Sequence, residues 1–439
     1  MGNTISIGLL GFGVVGSGVI KMIEDHQTKL RHQLGCNVEV KSVLVRDLDK
    51  ARDVNKERTL LTTNPDDILN DPDIDIVVEV MGGIEQAREY ILKAFAAKKH
   101  VVTANKDLVA LHGLELQETA SENKCDFFYE ASVAGGIPIL RGIVDGLATD
   151  HIRKVMGIVN GTTNYILTKM NNEGVSYEDA LKEAQDLGFA EADPTADVEG
   201  LDSARKMAIL ARLAFSNPVE LDDVEVEGIS GIALEDLKHG DELGYTMKLI
   251  GYADFNGDEV EVNVQPTLLS KEHPLADVKN EFNAVYVYGD AVGETMFYGP
   301  GAGSLPTATA VTSDIAAIIR NIRLGVTGND YVAPHHKKKL KQPADRHGQY
   351  YIRMQVKDEA GVFNELSSVF NEYNISFQRI LQNPVKKGNT AEVTVITHDT
   401  SLENFKNVLE KLNGLDILSE VSSHYKVEGD AGNEVERTN

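Results

Sequence analysis

The sequence is of the α/β class: a doubly wound parallel sheet, an α+β domain and a terminal ferredoxin-like βαββαβ unit. Three observations predict this. In the first third, short apolar runs alternate with helical stripes, which calls for parallel strands joined by crossover helices. The middle mixes helical and alternating patterns. The last quarter runs strand, helix, strand, strand, helix, strand. At 439 residues the chain also exceeds one ordinary core, so two or three domains are expected.

The elements follow in order. Residues 5–10 are a short apolar run of buried-strand type. Val15, Val19, Met22 and Ile23 mark one stripe of a helix over 14–23. Residues 38–45, 76–81, 100–104 and 127–133 read as further strands, with a helix over 87–98. In the middle, 177–187 and 201–215 are helical and 260–264 and 284–288 alternate. A closing helix over 312–323 can pack back on the first sheet. That gives a first domain of 1–134 plus about 301–330, and a substrate-binding and dimerisation domain of 135–300. Residues 331–347 are polar and basic through His335, His336 and Lys337, and are expected to be an exposed, poorly packed linker. In the unit 348–427, Ile352, Met354 and Val356 alternate with polar residues, and Val362, Leu366, Val369 and Phe370 recur at helical spacing. Thr400 with Glu403 fits a capping box before the second helix. The charged residues 428–439 read as a disordered tail.

Composition excludes several classes of function. A net charge of −25 argues against nucleic acid and against anionic membranes as partners. No stretch is long and apolar enough to span a bilayer. Cys36 and Cys125 give neither a disulfide framework nor a zinc spacing, so a cytoplasmic setting is expected. The opening Met-Gly fits a loose myristoylation pattern, but Ser6 falls in the first strand and leaves no free arm.

Gly11-Phe12-Gly13-Val14-Val15-Gly16 follows a strand and opens a helix. Gly11 permits the tight turn, Gly13 lets backbone approach a pyrophosphate, and Gly16 allows close helix packing. In an α/β sheet this is the Rossmann dinucleotide fingerprint. The second strand ends Val45-Arg46-Asp47. Asp47 suits the ribose hydroxyls of NAD, and Arg46 suits the 2′-phosphate of NADP. Arg46 comes first, which favours NADP. Thr103-Ala104-Asn105-Lys106 ends another parallel strand, so Lys106 is expected in the crevice where ligands of such sheets bind. Glu130 precedes glycines that free several carbonyls, a set able to hold a hard cation. The plainer alternative is a hinge in which Glu130 caps backbone. Asn160-Gly161-Thr162-Thr163-Asn164 is a polar turn before a helix and can line the pocket. Residues 299–307 form a second glycine-rich loop.

The segment 188–206 carries the most chemistry. Five carboxylates fall between Glu191 and Asp202, ahead of an apolar run. Asp202 and Lys206 share one helical face. Lys206 can give a proton to a carbonyl oxygen as hydride arrives, with Asp202 orienting it. Glu191 and Asp197 can hold a substrate ammonium. The alternative is an i,i+4 salt bridge on a solvated helix, worth about 0.3–0.5 kcal/mol.

Together these pieces resemble the homoserine dehydrogenase family, in the form with a carboxy-terminal ACT domain. The resemblance runs in order over about residues 4–330, and Asp358-Glu359-Ala360-Gly361-Val362 is similar to the first turn of an ACT domain. It implies reversible reduction of L-aspartate 4-semialdehyde to L-homoserine with NADPH or NADH. It implies Lys206 as acid/base with Asp202 its partner, Glu191 on the substrate amine, and Lys106 beside the nicotinamide. Glu130 with the carbonyls of Val133, Gly135 and Ile137 would be a sodium site, and Gly188 and Gly303 would lie near cofactor. It implies a homodimer or homotetramer, with an amino-acid effector such as threonine at the ACT unit. The rival expectation is a catalytically silent amino-acid sensor, against which the intact Lys106, Glu191, Asp202 and Lys206 speak. If threonine acts at the ACT unit, deletion beyond about Gln342 is expected to leave activity and remove inhibition.

Overall fold

The computed structural model of the chain describes residues 4–50, 59–329, 333–384 and 390–429. They fall into two compact units. The first holds Met1–Val155, Arg205–Val224 and Asn283–Lys338; the second holds Met156–Ala204, Glu225–Phe282 and Lys339–Asn439.

The first unit contains strands β1 (Thr4–Leu10), β2 (Asn37–Leu44), β3 (Leu60–Thr62), β4 (Ile76–Glu79), β5 (His100–Thr103) and β6 (Phe127–Phe128). Their order is β3-β2-β1-β4-β5-β6, with every neighbouring pair parallel. The strands are apolar because helices cover both faces, as parallel sheets require. Ile7, Leu9, Ile76 and Val78 pack with Val19 and Ile23 of the helix Val14–Asp25. Ala308, Val311 and Ile318 of the closing helix join the same core. That helix spans Ser304–Leu324, longer than the 312–323 expected. Its first turns are small residues without an apolar stripe, and Pro306 is tolerated where amides lack helical partners anyway. The two helices touch closely: a Cβ on Gly18 would lie 2.7 Å from the Ser304 carbonyl oxygen.

The expected strand over 127–133 pairs only at Phe127 and Phe128. The chain then turns through a 3₁₀ segment, Glu130–Ser132, and through Ala134 and Gly135, both at φ 52°. Positive φ ends strand geometry, which is why the apolar pattern runs past the strand.

β7 (Ile152–Ile158) carries the chain from the first unit into the second. There β8 (Glu225–Val226) pairs with β10 (Val260–Ser270), which also lies antiparallel to β9 (Tyr245–Phe255). β11 (Phe282–Gly289) and β12 (Gly293–Pro300) return the chain to the first unit. The terminal part of the second unit has β13 (His347–Lys357), the helix Val362–Glu372, β14 (Phe377–Pro384), β15 (Thr390–Thr397), β16 (Thr400–Ser401), the helix Leu402–Leu412 and β17 (Leu418–Glu428). Its sheet order β17-β13-β15-β14 is the expected ferredoxin-like plan. The helix cap is Ser401, one residue after the Thr400 expected; Thr400 is held in β16 opposite Gly348.

One sheet face carries Ile352 and Met354, in a core with Phe370 and Phe405 of the two helices. The other receives the helix Leu234–Glu242. Asp236 of that helix is fully buried and accepts from Arg353 Nε at 2.6 Å, Ser423 Oγ at 2.5 Å, Tyr351 Oη at 3.1 Å and Tyr425 Oη at 3.2 Å. β17 also runs parallel to β10, with Thr267 opposite Lys426. The ACT unit is thus continuous with the β9–β10 sheet.

In the stretch 331–347 most of the described residues are exposed, and several are tied to neighbouring segments. Lys338 pairs with Glu220 and Asp223 in the first unit. In the second, Lys339 and Lys341 exchange backbone hydrogen bonds with Val260, and their ammonium groups meet Asp258, Glu259 and Asp254. The basic run is a counter-charge for a very acidic chain. Residues 331–332 and most of the expected tail, 430–439, lie outside the described residues.

Candidate active site

In the first unit the glycine turn leaves β1 and enters the helix Val14–Asp25, with Gly13 at the N-cap. Gly11 sits at φ +107°, and a Cβ there would lie 2.9 Å from the Met81 Cα. A Cβ on Gly16 would meet the Gly11 carbonyl oxygen at 2.4 Å, while nothing lies within 4 Å of one on Gly13. The turn is therefore packed tightly behind and open in front. Exposed Gly13 and Val14 and half-buried Phe12 and Val15 present an amide-lined cradle at a helix N-terminus, which suits a pyrophosphate. Ser304 Oγ donates to the Val14 carbonyl at 2.8 Å, so the second glycine loop joins this turn. Gly303, at φ +119°, is the N-cap of the closing helix. Arg46 and Asp47 are exposed beyond the carboxyl end of β2, where a ribose would lie; Asp47 also accepts the Asp49 amide at 2.8 Å.

A carboxylate that the sequence pattern did not reveal organises the neighbouring strand ends. Glu79, fully buried at the end of β4, accepts from Thr103 Oγ1 at 2.6 Å and from the amides of Met81 and Gly82 at 2.9 and 3.2 Å. Burial raises its pKa, against the pull of those bonds. It shapes the Met81 loop that backs Gly11. The available signal was a glutamate closing a strand of valines, before Gly82 and Gly83. Asn105 caps the next helix, Lys106–Glu122, by accepting the Leu108 amide at 3.2 Å, and donates to the Gly83 carbonyl at 2.6 Å. Lys106, half-buried, takes the first position of that helix.

Lys206 belongs to the helix Leu201–Phe215 and is 9 % exposed. Asp202, one turn earlier, is 3 % exposed. The solvated salt-bridge alternative is excluded by that burial. The first-unit part of this helix is fastened to the helix that carries Lys106. Arg205 meets Asp107 at 2.6 Å, and buried Arg212 donates to the carbonyls of Val109, Ala110 and Val219.

In the second unit the acidic segment folds as a short helix, Thr195–Val198, then Gly200 at φ +79°, then the long helix. Asn160 ties it together: its Nδ2 donates to Asp197 Oδ1 at 2.7 Å and to Asp202 Oδ2 at 2.8 Å. Thr162 Oγ1 donates to the Phe189 carbonyl at 2.7 Å, holding the loop of Gly188 (φ +78°) and exposed Glu191. In the sequence, 160–164 reads as a polar turn before a helix, able to line the pocket. Its signal, an amide and a hydroxyl side chain before a helix, carries no hint of these distant carboxylates.

Glu130 is 3 % exposed, and its two carboxylate oxygens accept the Leu140 and Arg141 amides at 2.8 and 2.9 Å. That is the capping alternative. The turn of Val133, Gly135 and Ile137 packs on the second glycine loop, where a Cβ on Gly135 would strike the Gly301 carbonyl oxygen at 2.4 Å. Oxygen donors with a single carboxylate suit a monovalent hard cation, and each Glu130 oxygen retains a second lone pair. The Ile137 carbonyl already accepts the Ile139 amide at 2.8 Å. Among the described residues, no group of three or more His, Cys, Asp or Glu gathers as a metal site. Burial pushes Glu130 up to about 7. Burial likewise raises Asp314, which accepts from Arg141 Nη2 at 2.8 Å, to about 6. Cys36 and Cys125 are buried with raised thiol pKa values and are not nucleophiles. Among the described residues, no helix is long and apolar enough to cross a membrane.

Comparison with known proteins agrees with this architecture. The profile described as "Homoserine dehydrogenase, NAD binding domain" matches residues 11–130, "Homoserine dehydrogenase" matches 138–316 and "ACT domain" matches 350–416. The homoserine dehydrogenase of Bacillus subtilis is 59% identical, covering 97% of this chain and 99% of its own. That of Synechocystis is 42% identical over 97% of this chain and 99% of its own. A crystal structure of a homoserine dehydrogenase from Thiobacillus denitrificans superposes with TM-score 0.90 at 37% identity, covering 97% of this chain and 98% of that one. A hyperthermophilic archaeal homoserine dehydrogenase mutant in complex with NADPH superposes with TM-score 0.61 at 27% identity, covering 74% and 98%. This chain belongs to the homoserine dehydrogenase family.

Proposed function

We propose that the chain reduces L-aspartate 4-semialdehyde reversibly to L-homoserine, with NADPH preferred over NADH. One observation carries the mechanism: Asp202 and Lys206 are both buried on successive turns of one helix. A nicotinamide cofactor, when bound, supplies the hydride. Lys206 donates the proton to the aldehyde oxygen and takes it back in the reverse direction. Asp202 orients the ammonium. Glu191 and Asp197 hold the substrate amine, and Lys106 positions its carboxylate or carbonyl. Arg46, the first charged residue beyond β2, pairs the 2′-phosphate, which is the reason for preferring NADPH.

The residues around the glycine turn fit the cofactor, because the cradle is open at Gly13 and closed behind Gly11 and Gly16. Glu130 and the carbonyls of Val133, Gly135 and Ile137 would hold sodium, whose charge would favour the ionised form of Glu130. We assign this ion no step in the chemistry. The enzyme works as a homodimer or homotetramer, and an amino acid such as threonine acts at the ACT unit. The test is absorbance at the nicotinamide band with homoserine and NADP. Reduction of the cofactor is expected; no change at high protein concentration would return the chain to the sensor reading.

A further inference from the structure

Asn160 is placed to do more than cap a helix. It is 5 % exposed, and its side-chain oxygen accepts the Thr163 amide at 2.9 Å and Thr163 Oγ1 at 3.0 Å. Those bonds fix which end of the amide is which. The nitrogen end must then face the acidic segment, where each of its two hydrogens meets a different carboxylate. Both acceptor oxygens lie near one nitrogen, so like charges are held within roughly 5–6 Å of each other, a strongly repulsive separation away from bulk water.

The backbone is shaped to bring them there. Gly200 separates the short helix from the long one at φ +79°, and a Cβ there would lie 2.9 Å from Val226 Cγ1. The Gly200 amide donates to the Asp197 carbonyl and its carbonyl accepts the Ala204 amide. This turn folds Asp197 and Asp202 back towards one point, and Asn160 occupies it. A lysine there would neutralise the pair and compete for the carboxylates. An aspartate would add a third acceptor. Asparagine supplies two donors and no charge.

We infer that Asn160 is a positioning residue for the reduction, sharing one neutral amide between Asp197 and Asp202 so that substrate-ammonium binding and the aim of Lys206 are set together. The inference rests on the roles proposed above for Asp197, Asp202 and Lys206. Loss of the amide hydrogens should degrade kcat and KM jointly.

Three variants separate this from simple capping. Asn160→Ser and Asn160→Asp both retain a competent helix cap, but serine has one donor and an ionised aspartate none. A purely structural role therefore leaves both near wild type in rate. A positioning role lowers the kcat/KM of Asn160→Asp for homoserine about 10²-fold at neutral pH, of the order expected for misplaced reacting groups, and because the new carboxylate faces two others its melting temperature falls as well. Partial recovery is expected as pH falls, because the introduced carboxyl regains one donor on protonation; the wild type shows no such gain. NADP affinity is expected to be unchanged. Should Asn160→Asp fail to fold, Asn160→Ser carries the test, with an expected loss of about tenfold shared between kcat and KM. The third variant, Asp202→Asn, tests the reading beneath. If Asp202→Asn is nearly wild type, that reading fails. If Asp202→Asn is crippled while Asn160→Asp or Asn160→Ser turns over normally, only the inference about Asn160 is overturned.

Discussion

Glu130 offers a stability measurement whose sign follows from its surroundings. The carboxyl is raised from 4.5 to about 7, chiefly by burial, with the neighbouring Asp314 charge adding to it and the capping amides opposing it. A folded-state pKa above the unfolded one means the folded chain binds its proton more tightly. The group then stabilises the fold at low pH, and that contribution is lost as pH rises through about 7. The shift corresponds to about 3 kcal/mol in full, and about 2.5 kcal/mol of it is lost between roughly pH 5 and pH 8. The perturbation is Glu130→Gln, which removes the titration while keeping the size. The assay is urea unfolding of the cofactor-free protein across that range, in choline buffer. The difference between wild type and variant cancels the titrating groups that do not interact with Glu130 and should change by about 2.5 kcal/mol, with wild type losing ground as pH rises. Adding sodium should flatten the wild-type slope, because a bound cation favours the ionised form. A pH-independent difference without sodium, or one that favours wild type increasingly with pH, would refute the argument.

Gly11→Ala should weaken NADP binding about tenfold or more, since a left-handed residue pressed on Met81 costs about 1–3 kcal/mol; equilibrium dialysis checks it. Arg46→Ala should raise the KM for NADPH far more than that for NADH, and equal effects would deny Arg46 the 2′-phosphate. Arg353→Leu leaves the Asp236 carboxylate buried without its guanidinium, so denaturation should show a loss of about 3–5 kcal/mol. For the same reason truncation near Gln342 should destabilise the remaining chain rather than leave it intact, which melting of the truncated protein will show.

The first sheet was legible because buried parallel strands are apolar throughout and their glycine turn has fixed mechanical needs. Val38, Val43 and Ile76 announce themselves in any order of reading. The helix 201–215 was legible from its stripe, and the acid–lysine spacing follows from 3.6 residues per turn. What stayed hidden depends on partners far away in sequence. Arg353 alternates with Ile352 and Met354 and reads as a solvent-facing residue, but its face is covered by Asp236, 117 residues earlier. Lys338, Lys339 and Lys341 read as a solvated linker because their acidic partners lie between residues 220 and 259. Asn160 reads as part of a polar turn; the structure makes it a helix cap whose amide also serves two carboxylates 37 and 42 residues on. Local patterns reveal faces and turns; they do not reveal which distant polar group completes a buried one.

The most direct test of the proposed chemistry is the turnover of Lys206→Ala with homoserine and NADP, alongside its affinity for NADP alone. The expected result is kcat lower by about 10²–10⁴-fold with cofactor affinity unchanged, because the lysine moves a proton in the reaction and does not hold the nucleotide. Near-normal turnover in that variant would remove Lys206 from the chemistry and contradict the central claim.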